Sequence, residues 1–532
     1  MSFADQQLAR MVTNRAAPRW VPVGGALAVC AGVLVLARPA LAGWIVFGVL
    51  ALTAGVLEPL APLLLLPFAV AFGSLVSLDA HGIHVGPTDV LVLALVLGVL
   101  APRPAPPWGA SADRPYSPGD WALSTLKGRR AQRAPGLDKP DSPVSTSHSR
   151  QRKVLASAAT AVRRLWHEKR LAAWVFVALV AYLTVVCLSL VVATSRAGTL
   201  KEIVKWSEVL AVTAATLWLA RRSGRLRLIA WAMIGAGVAQ ALLGYAQWVV
   251  ATGDLGPGGA SIRVFGTFAQ PNPFAGYLNL SLPLALALVV FGDDARERWV
   301  AGAASVLLLG AQALADSRGG LLGLSAAVVT LAVVGWHRER LAGWTLLIGV
   351  PAAIVAWVTH IIPVRIEDAV LRQFRVNDVL HSGQVTPANY STAERLAHWV
   401  AGLRMFAAHP ILGVGAGNYN AAYARFAAAD WPEPLGHAHN YYINVAAETG
   451  ALGLLTFLAF TVVTLYLGWC VAHTAVLARA PARALALGLF AVLVALTIHN
   501  LTDDLFVHAI ELQVALCIGC LLALKVQKLP TG

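Results

Sequence analysis

Charge is what this 532-residue chain has little of: 13% of its residues are Asp, Glu, Lys or Arg, against roughly 25% in soluble domains. That excludes an ordinary water-soluble globule. Cysteine is also scarce. The five present (Cys30, Cys187, Cys470, Cys517, Cys520) all sit inside apolar runs, so neither a disulfide framework nor a zinc site is indicated. Cys517 and Cys520 spell C-x-x-C, but within one apolar stretch, where they serve as packing residues. No P-loop, dinucleotide fingerprint, nucleic-acid module or fixed-period repeat occurs. What is present is hydrophobic: 58% of residues, with a mean hydropathy of +0.66. The chain reads as an all-α polytopic membrane protein, because helices satisfy their own backbone groups in hydrocarbon.

Apolar runs long enough for a bilayer fall near 20–37, 41–57, 60–78, 87–101, 171–193, 203–220, 227–251, 272–291, 298–316, 319–336, 341–361, 443–471, 484–501 and 506–525. The second to fourth are short and Pro-rich, which gives twelve to fourteen spans. Arg10, Arg15 and Arg19 precede the first run without a small-residue cleavage site, so that helix is expected to be retained. The basic short loops "RRSGRLR", "DDARERW", "WHRER" and "ARAPAR" and the tail "KVQK" alternate onto one face, the cytoplasmic one. The resulting organisation is N-terminal helices in 1–101, a basic cytoplasmic linker in 102–170, a membrane core in 171–361, an outer loop in 362–442 and C-terminal helices in 443–532. The linker carries fourteen Lys/Arg against five Asp/Glu and many Pro and Ser, a disordered composition. Anionic membrane lipids account for its charge, and no nucleic-acid partner is implied.

The deliberate-looking polar motifs fall on the opposite, outer face. "IRVFGTFAQPNPFAGYL" (262–278) puts Arg263 in a Gly/Pro-rich re-entry, where it serves as an interfacial anchor or an anion contact; Asn272 between two prolines suits a helix start. "ALADSRGGLLGL" (313–324) breaks two apolar helices and sets Arg318 at a helix N-terminus, a phosphate site or a plain turn. "TAERLAHWVAGLRMFAAHP" (392–410) lines up Leu396, Trp399, Val400, Leu403 and Phe406 as the face of an interfacial helix, with Arg395 and Arg404 turned to polar surroundings. "ILGVGAGNYN" (411–420) then stops it with three glycines. "PLGHAHNYYINVAAETGALGLL" (434–455) leads His437, His439 and Asn440 into a span that holds Glu448 at lipid depth. Metal ligation, helix capping and general-base chemistry are all open to these histidines; His381, His398 and His409 lie nearby in the sequence, but no carboxylate or cysteine cluster completes a ligand set, so no metal or other cofactor is expected. "HNLTDDLF" (499–506) places Asp503 and Asp504 between the last two spans.

"SRGGLLGL", "HPILGVGAGNY" and "HAHNYYINVAAETGALGLL", in that order around a large loop, resemble the O-antigen ligase and polymerase superfamily, over roughly residues 170–525. The resemblance implies an integral-membrane glycosyltransferase of the bacterial inner membrane with a periplasmic active site. Its donor would be a glycan on undecaprenyl pyrophosphate, and its acceptor a lipid A–core sugar or, in a polymerase, another lipid-linked glycan. Carried onto this chain, the family's loop histidine falls on His439, which precedes Asn440, and its pyrophosphate arginines fall on Arg318 and Arg263. The later acidic residue falls on Asp503 or Asp504. Arg395 and Asn440 are further candidate substrate contacts. The rival of another class is a secondary transporter of small anions; against it, the spans are almost uncharged at mid-depth, Glu448 and Lys205–Glu208 excepted.

Overall fold

The computed structural model describes residues 39–75, 78–80, 83–101, 170–221, 224–254, 263–335, 385, 390–477 and 482–526. The expected spans at 20–37 and 341–361, nearly all of the linker 102–170, and His381 lie outside the described residues. The chain divides into two compact units, Met1–Val99 with Leu171–Gly532, and Leu100–Arg170; everything below concerns the first.

The chain is an all-α polytopic membrane protein with one small exception. Helices α1 (Pro39–Leu57) and α2 (Leu60–Phe72) are followed by strands β1 (Leu78–Ala80) and β2 (Ile83–Val85), an antiparallel hairpin pairing Leu78 with Val85, and then by α3 (Pro87–Leu100). There follow α4 (Arg170–Val191), α5 (Arg196–Ala220), α6 (Arg225–Asp254), α7 (Pro271–Leu278), α8 (Leu282–Phe291), α9 (Ala295–Ala315) and α10 (Arg318–Gly335). Helix α11 (Tyr390–Ala408) precedes α12 (Tyr441–Leu477), α13 (Arg483–His499) and α14 (Ile510–Val526).

Among the described residues, seven helices are long and apolar enough to cross a bilayer: α4, α5, α6, α7 with α8, α9, α10 and α12. The expectation is twelve to fourteen over the whole chain, two of which, at 20–37 and 341–361, lie outside the described residues. Helices α2, α3 and α13 are equally apolar but run only 10–17 residues, short of the roughly 20 that a 30 Å core asks for.

Small residues let these helices close on one another, as membrane packing favours. A Cβ on Gly323 of α10 would stand 2.8 Å from the Ala495 carbonyl of α13, and one on Gly488 of α13 would stand 2.9 Å from Leu284 of α8. The α7–α8 segment is almost wholly enclosed; Tyr277 donates to the Pro67 carbonyl at 2.7 Å and Ser281 to that of Met233 at 2.8 Å. An aromatic group closes the bundle below the α13–α14 loop: Trp206 and Tyr441 each lean on Phe506, at ring distances of 5.5 and 4.5 Å.

Helix α12 is broken where the apolar pattern shows no break. Gly450 has φ 65° and ψ −163°, and a Cβ there would lie 2.3 Å from the Ile411 backbone. Only glycine fits both the left-handed backbone and the chain crossing over it. The upper segment, 441–449, thereby becomes a separate strut that carries the polar sequence HAHN at its N-terminus.

Candidate functional site

Three chain segments meet at the start of α12. The first is the turn Gly436–Asn440. Asn440 is the helix cap: its Oδ1 accepts the Tyr442 and Ile443 N–H groups at 3.0 and 3.1 Å, and its Nδ2 donates to the Leu501 carbonyl at 2.9 Å. The capping role open to the histidines thus belongs to Asn440, and its amide is engaged within the protein. His439, one residue earlier, sits at φ 51°, a left-handed backbone that a side chain rarely adopts. It is held there from both sides, its N–H donating to His437 Nδ1 at 3.1 Å and its carbonyl accepting Trp399 Nε1 at 3.3 Å. Local strain kept by surrounding bonds is common at reacting residues.

The second segment is the α13–α14 connection. Asp503 Oδ1 lies 3.4 Å from His439 Nδ1 and 3.9 Å from His437 Nε2. Asp504 accepts the Phe506 N–H at 2.8 Å and acts on His437 only through its charge, so of the two acids it is Asp503 that meets the His439 ring. Burial opposes ionisation of Asp503, but the hydrogen bond from His439 and the charges of His437, His439 and His499 outweigh it and hold the carboxyl well below the usual range. With Nδ1–H directed at Asp503, the ring's acceptor nitrogen is Nε2, and Nε2 is buried with no hydrogen-bond partner. Burial lowers His437 against the pull of Asp504 and Asp503.

His437, His439 and Asp503 offer ligand atoms within 4.8 Å of one another, a spacing that a metal ion could use. Arg395 acts electrostatically on His437, and a guanidinium at that range disfavours a second cation.

The third segment is α11. Ala393, Ala397, Ala401 and Met405, four residues apart, are the buried face, which packs on α12. Of the apolar face expected from sequence, Val400 and Leu403 are exposed, whereas Trp399 turns inward to His439. Arg404 donates to the carbonyls of Phe426 and Ala427. His398, on the buried side, stacks on Tyr423 at 4.7 Å and stands edge-on to His439 at 5.6 Å. Tyr419 donates to the His398 carbonyl at 2.8 Å, and His398 Nδ1 faces the same hydroxyl at 3.2 Å. In the sequence His398 is one of several histidines around the loop. The signal for its place is the three-residue spacing from Arg395, which puts both on one helical face.

Burial, and then His439 and His437, push the His398 pKa down to about 4 from 6.5. A histidine whose folded pKa is depressed binds fewer protons folded than unfolded between those values. Its contribution is complete above about 6.5 and is lost as pH falls towards 4. Acid unfolding of the purified protein should therefore begin below about pH 6.5, and His398→Phe should flatten that limb in thermal melts taken between pH 7 and 4. An unchanged acid limb would mean that His398 ionises freely.

The arginines lie around this core. Arg395 is within electrostatic reach of Arg263, His437 and His499, and its Nε is buried without a partner. Arg263 donates Nε to the Ala315 carbonyl at 3.2 Å and Nη2 to the Asp316 carbonyl at 2.9 Å, so it caps the end of α9. Arg318 opens α10 and is exposed. The glycines behind it serve protein packing rather than a ligand: a Cβ on Gly319 would stand 2.6 Å from the His499 ring, and one on Gly320 2.5 Å from Gln312. Ser317 Oγ takes the Gly320 N–H at 3.1 Å, removing one of the free donors expected at this helix start. Asn272 starts α7 beside Pro271 and accepts from Ser317 at 3.0 Å.

The glycine-rich stretch after α11 is held by the protein itself. Glu448 reaches it from α12 and accepts the Gly417 and Tyr419 N–H groups, both at 2.9 Å. The carboxylate expected to be paired in the bundle is thus paired with backbone, and it pins the loop that carries Tyr419 beneath His398.

No curated protein matches the chain. Residues 303–458, which run from α9 through His439 into α12, match the family model described as O-antigen ligase, in agreement with the resemblance carried by the sequence motifs.

Proposed function

We propose that the protein transfers a glycan from undecaprenyl pyrophosphate to a sugar hydroxyl at the periplasmic face of the bacterial inner membrane, as an O-antigen ligase does. The observation that carries this reading is a pair of unpartnered buried nitrogens on the two elements that flank His437. His439 Nε2 is a buried acceptor with nothing to accept, and Arg395 Nε is a buried donor with nothing to receive it. The first suits a hydroxyl proton and the second suits phosphate oxygens.

In this mechanism His439 Nε2 takes the proton as the acceptor oxygen bonds to the anomeric carbon. The bond from that carbon to the pyrophosphate breaks and its electron pair leaves with the phosphate. Asp503 orients the ring and stabilises the imidazolium, while Arg395, Arg318 and the remaining nitrogen of Arg263 receive the growing charge. One displacement inverts the anomeric centre. Pyrophosphate is already a good leaving group, so the step demands no metal. Asn440 acts by fixing the backbone next to His439.

A planar guanidinium fork grips phosphate in a way an ammonium cannot. Arg395→Lys and Arg318→Lys should each weaken donor use by about 10–100-fold, the worth of one or two charge-assisted bonds, despite the kept charge. Unchanged donor KM in both would leave the arginines as structural.

The acceptor is tested by supplying purified protein in vesicles with lipid-linked glycan and, in parallel, lipid A–core or a second lipid-linked glycan. Product on lipid A–core is the expected outcome. Product only on the second glycan would make the protein a polymerase, and uptake of inorganic phosphate into the vesicles without any transfer would favour the transporter reading.

A further inference from the structure

We propose that Lys205 and Glu202 are positioning residues for the His439–Asp503 pair, joining from within the membrane the two loops that hold it. The inference rests on the reading of His439 and Asp503 as the reacting pair.

Lys205 is nine residues past the start of α5, about 14 Å down the helix at 1.5 Å per residue. Charge at such depth is costly and calls for a reason. Lys205 Nζ pairs with Glu202 Oε1 at 2.6 Å and donates to the Phe506 carbonyl at 3.2 Å. Asp504 and Glu511 lie within its electrostatic reach. Phe506 closes the loop that presents Asp503: its N–H goes to Asp504 Oδ1, and the Asp504 N–H goes to Asp503 Oδ1 at 2.9 Å. From Nζ to the carboxylate facing His439 there are therefore only three residues of tightly bonded turn.

The other end of the ion pair meets the other loop. A Cβ on Gly417 would stand 2.9 Å from Glu202 Cγ, so the Glu202 stem lies against that glycine. Gly417 and Tyr419 are the two residues that Glu448 holds, and Tyr419 in turn holds His398 edge-on to His439. One ion pair thus braces both the Asp503 side and the His398 side of the base.

Helix packing does not explain the pair. Helices α5 and α14 are joined lower down, where Thr213 donates to the Ala515 carbonyl at 3.5 Å and a Cβ on Gly519 would meet Thr216 at 2.5 Å. The lysine bond ends instead on loop backbone above those contacts.

The test is a double-mutant cycle on full-length protein, with kcat, donor KM and melting temperature read together. Lys205→Met should lower kcat by about 10–100-fold, the scale expected when a reacting group is displaced by an ångström, with donor KM nearly unchanged. Lys205→Arg should restore most of the rate. In an Asp503→Asn background Lys205→Met should cost little more, because both changes act through one element. Glu202→Gln, run through the same cycle, serves if Lys205→Met fails to fold. Losses that multiply in the double variant, while Asp503→Asn is itself impaired, overturn the inference alone. An unimpaired Asp503→Asn overturns the underlying reading of the pair, and the inference with it.

Discussion

His439→Ala should lose turnover by about 10²–10⁴-fold, the usual contribution of a general base, while the protein still inserts and binds lipid-linked donor. The expectation follows from the ring's two nitrogens. Nδ1 is committed to Asp503 at 3.4 Å and Nε2 is the unpartnered acceptor, so removal of the ring takes away the proton's destination and little of the fold. Helix α12 keeps its cap, because Asn440 supplies it. His437→Ala is the internal control. Its ring touches His439 at 4.5 Å but stands farther from Asp503, and it should fall far less. Equal losses at both positions would count against a single base, and full transfer in His439→Ala would end the mechanism.

The second large effect is expected at Asp503. Asp503→Asn keeps the shape but removes the negative charge that balances the imidazolium. It also removes the pure acceptor that keeps the proton on Nδ1. The analogous change in the serine-protease triad costs about 10⁴ in kcat; with the 3.4 Å contact here, a loss of about 10²-fold or more is expected, with donor KM nearly preserved. Asp504→Asn leaves the Oδ1 acceptor for Phe506 N–H in place and should be milder. Steady-state kinetics on the two variants check the assignment, and a larger loss at Asp504 would reverse it.

Much of the site could be read from residues close together in sequence. HAHN before an apolar run, Arg318 at a helix start and Asn272 between prolines all appear where expected, because caps and turns are local. What sequence left open is what depends on tertiary direction. Asp503 and Asp504 are equivalent as letters, and only the turn between α13 and α14 points one at the histidines and the other at Phe506 N–H. The glycines at 319 and 320 suit a phosphate site as well as a plain turn in the sequence, yet each is filled by a neighbouring segment: His499 and Gln312. Arg395 stood as one arginine of an interfacial helix; its buried, unsatisfied Nε is visible only once α11 packs its alanine face inward. The break at Gly450 is invisible in the sequence because hydropathy runs unbroken through it, and the crossing chain that requires it is at Ile411, 39 residues earlier.

The most direct measurement is transfer by the purified, chelator-stripped protein in vesicles, from undecaprenyl-pyrophosphate-linked glycan to acceptor. Product and released undecaprenyl pyrophosphate are followed together, for wild type and His439→Ala. The expected result is full wild-type transfer without metal, one pyrophosphate lipid released for each glycan joined, inversion at the anomeric carbon, and near-complete loss in the variant. The contradicting result is wild-type activity that vanishes with chelator and returns with one divalent ion. In that case His437, His439 and Asp503, with ligand atoms within 4.8 Å of one another, would be holding a metal, and His439 would not be the base.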